Sequence, residues 1–337
     1  MNSRERVFAL LEGRPVDHLP FMPITMMFAA RYSGAKYGKY ALDHRVLVDA
    51  QIQTAKRFEF DHVSTITETR EAPDCGACIR LFEDQPYAID EQRARLADKS
   101  ALAGMQSPEP LTAAHMRDRL EGIARLKKEV GDKKIVEGWV EGPCGAAADL
   151  RGINTLMLDF FDDPAFVGDL FDFVLALALR FGRAQAEAGA DIIGIGDPAA
   201  SLVGPRIYEE IVWPYQKRLV DGLHAIKGVR LRLHICGDTR RMLEGMGRLG
   251  CEIVDIDSKV PVSEARSRMG PAQVLLGGID PVRVLQNGTP AQVAAAVADC
   301  HNQAGPRYII GAGCEVPPDT PEENLFELLR YAETATV

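Results

Sequence analysis

Short apolar segments alternate with longer amphipathic segments along most of the chain, a pattern typical of β/α units. The apolar segments predict eight strands, at residues 19–25, 62–68, 135–141, 191–196, 229–236, 252–257, 274–278 and 308–313. The amphipathic segments predict helices, notably at residues 46–58, 111–130, 165–189, 206–226, 239–249, 290–304 and 321–334. Eight units favour a closed (β/α)8 TIM barrel over an open doubly wound sheet. We therefore expect an α/β protein whose residues 1–337 form a single barrel domain.

The segment 69–110 departs from this alternation. Two short apolar runs, 79–82 and 87–89, flank the turn-like residues 83–86, and this pattern predicts a β-hairpin inserted after the second strand. Long loops that follow strands often carry binding residues. We therefore expect this insertion to lie over the barrel mouth and to shape a substrate pocket.

Polar residues stand at the carboxyl ends of almost all the predicted strands, which is where TIM-barrel active sites lie. Three of them, Glu141, Asp197 and Asp257, are candidates for substrate contacts or for hydrogen bonds that orient a functional side chain. The alternative for each carboxylate is a structural role at the rim of the barrel.

The clearest chemical signal is His234-Ile235-Cys236 at the end of the fifth strand, together with Cys314 at the end of the eighth. Alternate residues of a strand point to the same side, so His234 and Cys236 are able to share one ion. Imidazole and thiolate suit zinc better than magnesium or calcium. We predict Zn²⁺ bound by His234, Cys236 and Cys314 with a fourth position open, the alternative being three ordinary buried residues.

Two other motifs carry less weight. Cys75 and Cys78 form a CxxC without a second such pair, and they do not open a helix after a thioredoxin-like strand, so two free thiols are expected. The segment 194–199 matches GxGxxA, but Asp197 and Pro198 occupy the turn that should offer backbone N–H groups to a phosphate. A dinucleotide site is therefore not predicted.

Composition limits the remaining classes. The chain has 337 residues, 46% of them apolar, and a formal net charge of −9, which argues against nucleic acid as a partner. It shows neither an apolar run long enough to cross a bilayer nor the apolar core of a signal peptide. Seven cysteines without framework spacing indicate a reducing compartment, so the expected location is cytoplasmic.

The chain resembles the uroporphyrinogen decarboxylase superfamily, and within it the zinc-dependent corrinoid methyltransferase branch. The resemblance runs nearly end to end and includes residues 4–7, 15–20, 141–143, 197–201, 234–238, 277–281 and 313–324. In methylcobamide:coenzyme M methyltransferases, a His-x-Cys and a distant Cys bind zinc, and they align with His234, Cys236 and Cys314. The resemblance implies transfer of a methyl group between a corrinoid (methylcobamide) and a small thiol or methylated substrate.

The match to the decarboxylase itself is poor at its functional segments. Its Arg-Gln-Ala-Gly-Arg run, which clamps porphyrinogen carboxylates, is replaced by the apolar residues 23–31 with Arg31 as the one basic side chain. Cys314 stands where the decarboxylase has the histidine of a Gly-His-Gly, and its aspartate after the second strand has no clear equivalent at 67–69. A decarboxylase and a non-catalytic barrel that binds a corrinoid or tetrapyrrole remain as alternatives. The partners to consider are a separate corrinoid carrier protein and a second copy of the chain.

Overall fold

A parallel, curled sheet forms the centre of the protein in a computed structural model that describes residues 1–68 and 70–335. The strands are β1 His62–Ser64, β2 Ile79–Arg80, β3 Ala88–Ile89, β4 Ile135–Glu141, β5 Ile192–Gly196, β6 Arg230–His234, β7 Ile253–Ile256, β8 Val274–Gly277 and β9 Tyr308–Ile309. Seven of them pair in the order β1-β4-β5-β6-β7-β8-β9, and each pair is parallel. This order follows the sequence, as expected for successive β/α units.

Helices connect these strands. They are α1 Ser3–Leu11, α2 Met27–Tyr32, α3 Tyr37–Leu42, α4 His44–Arg57, α5 Glu71–Asp74, α6 Ala114–Val130, α7 Pro143–Arg151, α8 Ile153–Asp162, α9 Pro164–Ala188, α10 Pro205–Ile207, α11 Trp213–His224, α12 Leu243–Leu249, α13 Val262–Met269, α14 Pro290–Ala304 and α15 Glu322–Thr334. Short 3₁₀ or π segments occur at Glu91–Arg93, Lys99–Gly104, Pro198–Leu202, Tyr208–Val212, Arg240–Met242 and Pro281–Gln286. Across residues 1–68 and 70–335, none of these helices has the length and apolar character needed to cross a membrane.

The segment around Phe21 lies between the two edge strands, β9 and β1. Phe21 forms a parallel bridge with Ile310, and the Asp61 backbone N–H donates to the Phe21 carbonyl at 2.9 Å. The prediction of a full first strand at 19–25 was wrong, because Pro20 and Pro23 have no N–H to donate to a ladder. The result is a seven-stranded curled sheet whose edges are joined by this bridge, consistent with a TIM-like barrel.

The amino end of the sheet is closed by apolar packing. Val7, Leu10 and Leu11 of α1 belong to a buried cluster with residues near the beginnings of the strands, namely Ile135, Ile192, Ile253 and Val274. Burial of these side chains stabilises the fold at this end. The opposite end, where the strands finish, is therefore free to carry polar side chains.

Two short strands lie within the segment 69–110. In β2 and β3, Ile79 pairs with Ile89 and Arg80 pairs with Ala88 in antiparallel register. The connection between them is attached to α3, because the Gly38 N–H donates to the Glu83 carbonyl at 3.0 Å and the Tyr37 N–H donates to Asp84 Oδ1 at 3.0 Å.

Candidate metal centre

His234 and Cys314 come together at the carboxyl end of the sheet. His234 is the last residue of β6, Cys314 follows β9, and the His234 Nε2 and Cys314 Sγ atoms lie 3.8 Å apart. Cys236 lies two residues beyond His234, close enough to Cys314 for each thiol to shift the pKa of the other. The one imidazole and two sulfurs named from the sequence therefore occupy one region of the protein.

The orientation of His234 is fixed by Asp255 on β7. His234 Nδ1 and Asp255 Oδ2 are 2.8 Å apart, and the Asp255 carboxylate is buried. A carboxylate acceptor keeps a proton on Nδ1, so Nε2 is the ring nitrogen that a metal ion would bind. Nε2 is also the nitrogen that faces Cys314.

A buried arginine on β6 joins this pair to β4, which lies two strands away in the sheet. The Arg232 side chain has no exposed area, and its Nε donates to Asp255 Oδ1 at 2.9 Å while its Nη1 donates to Glu137 Oε1 at 3.1 Å. Trp139 Nε1 also donates to Glu137, at 3.0 Å. Arg232 and His234 share one face of β6, so the alternation of the strand sends both of them inward. The chain of contacts from Glu137 through Arg232 and Asp255 thus ends on His234.

The ionisation of the three candidate ligands is shifted by their neighbours. Burial lowers the pKa of His234, but its hydrogen bonds to Asp255 and Cys314 outweigh burial and raise that pKa to about 9. The neighbouring Cys314 thiol lowers the pKa of Cys236 to about 7, while the Cys236 thiol, aided by burial, raises the pKa of Cys314. Cys236 is therefore the first of the two thiols to become a thiolate, the form that binds metals and acts as a nucleophile.

The two sulfurs open onto a cavity of about 1000 Å³. Cys236 and Cys314 are part of its wall, as are Glu141 and Asp257. The segment 69–110 contributes Tyr87, Ala88, Ile89 and Glu91 to the same wall. A cavity of this size is at the upper end of the range for small-molecule sites.

The structure brings two of the three candidate acids to this cavity. Glu141 ends β4, and its pKa is raised well above the usual range by burial and then by the nearby carboxylates Asp149, Glu71 and Asp197. Asp257 accepts hydrogen bonds from the Gly237 N–H at 2.8 Å and the Lys259 N–H at 2.9 Å. Asp257 thereby shapes the loop that follows Cys236.

Asp197 has a different environment. Its side chain is fully buried, with Oδ1 accepting from the Gly145 N–H at 2.7 Å and Oδ2 accepting from Gln216 Nε2 at 2.8 Å. Burial raises its pKa to about 6. These contacts tie the beginning of α7 to α11, and the carboxylate is enclosed by them.

Sequence reasoning missed Asp255, Arg232 and Glu137. One available signal was Arg232, a charged residue between two leucines in an apolar strand, which indicates a buried partner on a neighbouring strand. Glu71 was also missed. It is buried on α5 and accepts the Glu141 N–H at 2.9 Å, which helps to hold the end of β4.

A second group of metal-binding residue types lies elsewhere. Among residues 1–68 and 70–335, Asp43, His44 and Asp118 form the one set of three whose ligand atoms all lie within 4.8 Å of one another. Asp43 caps α4 and is paired with Arg45, and Asp118 is paired with Arg119 and with His44. These partners satisfy the group as a structural ion-pair cluster. The ligand atoms of His234, Cys236 and Cys314 lie further from one another than those of the Asp43 group. One ion that bound all three would therefore have to draw these atoms closer together.

The remaining cysteines have no disulfide partner in the described part of the chain, and all seven cysteines are free thiols. Cys75 follows α5, and burial raises its pKa to about 12. A thiol with so high a pKa is a poor nucleophile at neutral pH.

Comparison with known proteins shows the family. The uroporphyrinogen decarboxylase (URO-D) family profile matches residues 2–335. A methylcobamide:CoM methyltransferase, MtbA of Methanosarcina mazei, is 29% identical over 342 residues that cover 98% of this chain and 97% of the relative. A uroporphyrinogen decarboxylase of Microcystis aeruginosa is 30% identical over 348 residues, covering 96% of each chain. A solved structure described as a methyltransferase from Methanosarcina mazei has the same fold, with a TM-score of 0.89 at 20% identity over 99% of this chain and 98% of that one. From the extent of these matches, the chain belongs to the uroporphyrinogen decarboxylase family.

Proposed function

We propose that this protein is a zinc-dependent methyltransferase that moves a methyl group between a corrinoid (methylcobamide) and a small thiol. The observation that carries the proposal is the approach of His234 Nε2 to Cys314 Sγ, with Cys236 beside them at the wall of a cavity. Relatives that cover nearly the whole chain and are described as methylcobamide:CoM methyltransferases support it.

The residues present fit a zinc ion. The donor set of one imidazole and two sulfurs matches zinc sites that keep a position open for substrate. Asp255 supplies the carboxylate partner that metal-binding histidines usually have. When bound, zinc would lower the pKa of a substrate thiol and so provide a thiolate at neutral pH.

For the reaction itself, the main task of the protein is to position the thiol and the corrinoid. In the direction toward the thiol, the thiolate sulfur forms a bond to the methyl carbon as the cobalt–carbon bond breaks, and the electron pair stays on the cobalt of the corrinoid. The thiol proton leaves to solvent. Cavity residues such as Glu141 and Asp257 would position the small substrate, and the corrinoid would arrive on a separate carrier protein.

A metal-removal experiment tests the proposal. Purified protein is incubated with methylcob(III)alamin and 2-mercaptoethanol, and methylation of the thiol is followed as the corrinoid spectrum changes. We expect the rate to fall to background after chelation and to recover on addition of zinc, with no recovery on addition of magnesium. Full activity in metal-free protein would contradict the proposal.

The same assay separates two alternatives. The relative described as a uroporphyrinogen decarboxylase favours decarboxylation as a second candidate. The substrate of a uroporphyrinogen decarboxylase is a polycarboxylate, however. The acidic side chains Glu68, Glu141 and Asp257 in the cavity wall disfavour such a substrate. A non-catalytic binding barrel would bind corrinoid in this assay without transferring the methyl group.

Asp255→Asn should weaken zinc binding by about 10–100-fold. The amide keeps the shape of the side chain but loses the charge that holds His234 Nδ1 at 2.8 Å. Competition with a zinc-binding dye of known affinity measures the change. Asp257→Asn is a matched control two residues further along the chain, because the Asp257 carboxylate accepts from backbone N–H groups. This variant should keep zinc affinity within a few-fold. Equal zinc affinity in wild type and Asp255→Asn would exclude this positioning role.

We also propose that residues 1–337 form one folding unit and that the segment 69–110 shapes the substrate pocket. Four residues of that segment in the cavity wall support the second point. The association of two copies of the chain remains a prediction.

A further inference from the structure

Acidic residues outnumber basic residues in the lining of the cavity. Six acidic residues line it: Glu68, Glu91, Glu141, Asp149, Asp238 and Asp257. Within the described part of its wall, Lys259 is the one basic residue. Asp238 is paired with Arg240, so its charge is offset locally. A concave wall of one sign concentrates ligands of the opposite sign and repels those of the same sign.

Two of these acids lack compensating partners on the cavity side. Glu68 Oε1 accepts a hydrogen bond from the Tyr37 hydroxyl at 2.8 Å, while its Oε2 is buried without a hydrogen-bond partner among the described residues. Glu141 has other carboxylates, Asp149, Glu71 and Asp197, as its charged neighbours. Burial is the largest cause that raises the pKa of both carboxyl groups, and a bound cation would stabilise their ionised forms.

The nearest buried cations belong to the structure behind the wall. Arg70 lies within reach of Glu68 but donates to Thr67 Oγ1 and to the Ala41 carbonyl. Arg119 also acts electrostatically on Glu68 and is paired with Asp118. Neither arginine is part of the cavity lining. The charged side chains that line the cavity itself are therefore mainly acidic.

We infer that the small thiol used at this site carries a positive charge, as an aminothiol does, and that an anionic thiol such as coenzyme M is a poor substrate. The inference rests on the proposed function, because it places the thiol sulfur beside Cys236 and Cys314. It goes further in selecting the substrate class. The ammonium group would lie against the acidic part of the lining, which includes Glu68, Glu91 and Glu141.

A series of thiols that differ in charge tests this inference. Cysteamine carries an ammonium group, 2-mercaptoethanol is uncharged, and 2-mercaptoethanesulfonate is an anion of similar length. With methylcob(III)alamin as donor at low salt, we expect kcat/KM for cysteamine to exceed that for the sulfonate by at least about tenfold. The ratio should shrink in high salt, which screens charges over distances beyond a few ångströms.

Variants separate the effect of the wall from the intrinsic reactivity of each thiol. Glu68→Gln and Glu91→Gln should each lower the cysteamine-to-sulfonate ratio several-fold. Glu83→Gln is the matched control, since Glu83 also belongs to the segment 69–110 but lines a different cavity. It should leave all three rates unchanged.

The outcomes distinguish the two proposals. If the sulfonate reacts as well as cysteamine, or if the ratio is unchanged in both variants, the inference about charge is overturned while methyl transfer stands. If no thiol is methylated by zinc-loaded protein, the proposed function fails, and the inference fails with it.

Discussion

Replacing Cys314 by serine should abolish methyl transfer while the protein stays folded. Serine cannot supply a thiolate, and Cys314 contacts both His234 and Cys236. Loss of Asp255, which contacts a ligand and not the zinc, is expected to reduce zinc affinity by about 10–100-fold. Loss of a direct ligand should reduce zinc affinity by a larger factor. The fold should persist, because Cys314 lies at the cavity wall and the apolar core does not include it. The measurement is kcat/KM for thiol methylation, together with the circular dichroism spectrum.

Two other cysteines provide controls for this substitution. Cys251 and Cys300 are buried in the hydrophobic core, away from the cavity. Cys251→Ser and Cys300→Ser should keep full methyl transfer, although each buries a hydroxyl and should lose about 1–3 kcal/mol of stability. If Cys314→Ser retained the activity of these controls, Cys314 would have no part in the chemistry.

Arg232→Met should produce the largest loss of stability of any substitution at this centre. It leaves Glu137 and Asp255 as two buried carboxylates without their cation. Removal of one partner from a buried ion pair costs about 3–5 kcal/mol, because the remaining charge stays desolvated. Urea denaturation measures the free energy of unfolding, and a single transition in the wild type would also support one folding unit.

Arg230→Met is the matched control, on the same strand and two residues away. Arg230 is partly exposed, and its nearest carboxylate, Glu12, is 3.9 Å away. An exposed pair contributes at most about 1 kcal/mol. Equal stability losses in the two variants would show that the buried network does not hold the barrel interior together. The double variant Arg232→Met, Glu137→Gln should recover part of the lost stability, because it removes one of the two uncompensated buried carboxylates.

The alternation of apolar and amphipathic segments was sufficient to predict the parallel sheet. Its strands from β4 to β9 lie within, or within one residue of, the predicted ranges. The first strand was wrong because the apolar pattern outweighed the two prolines. The hydrophobic pattern indicates which side chains are buried, whereas the hydrogen-bond ladder of a strand also requires backbone N–H donors.

The candidate centre could be predicted in part for a related reason. His234, Cys236 and Cys314 stand at strand ends, and parallel strands bring their carboxyl ends to one edge of a sheet. The Arg232 network could not be predicted, because its contacts depend on lateral register, in which Arg232 pairs with Ile253 so that Asp255 comes within reach. The strand-end argument named Asp197 but not its hydrogen-bond partners. These partners, Gly145 and Gln216, come from two helices whose packing no local pattern specifies.

The zinc content of the purified protein shows whether His234, Cys236 and Cys314 hold a zinc ion. Elemental analysis is carried out without added metal on wild type, Cys236→Ser, Cys314→Ser and the core variant Cys251→Ser. We predict about one zinc per chain in wild type and Cys251→Ser, and strongly reduced zinc in the other two. Equal zinc in all four proteins, or none in wild type after reconstitution with zinc, would contradict zinc binding by these residues.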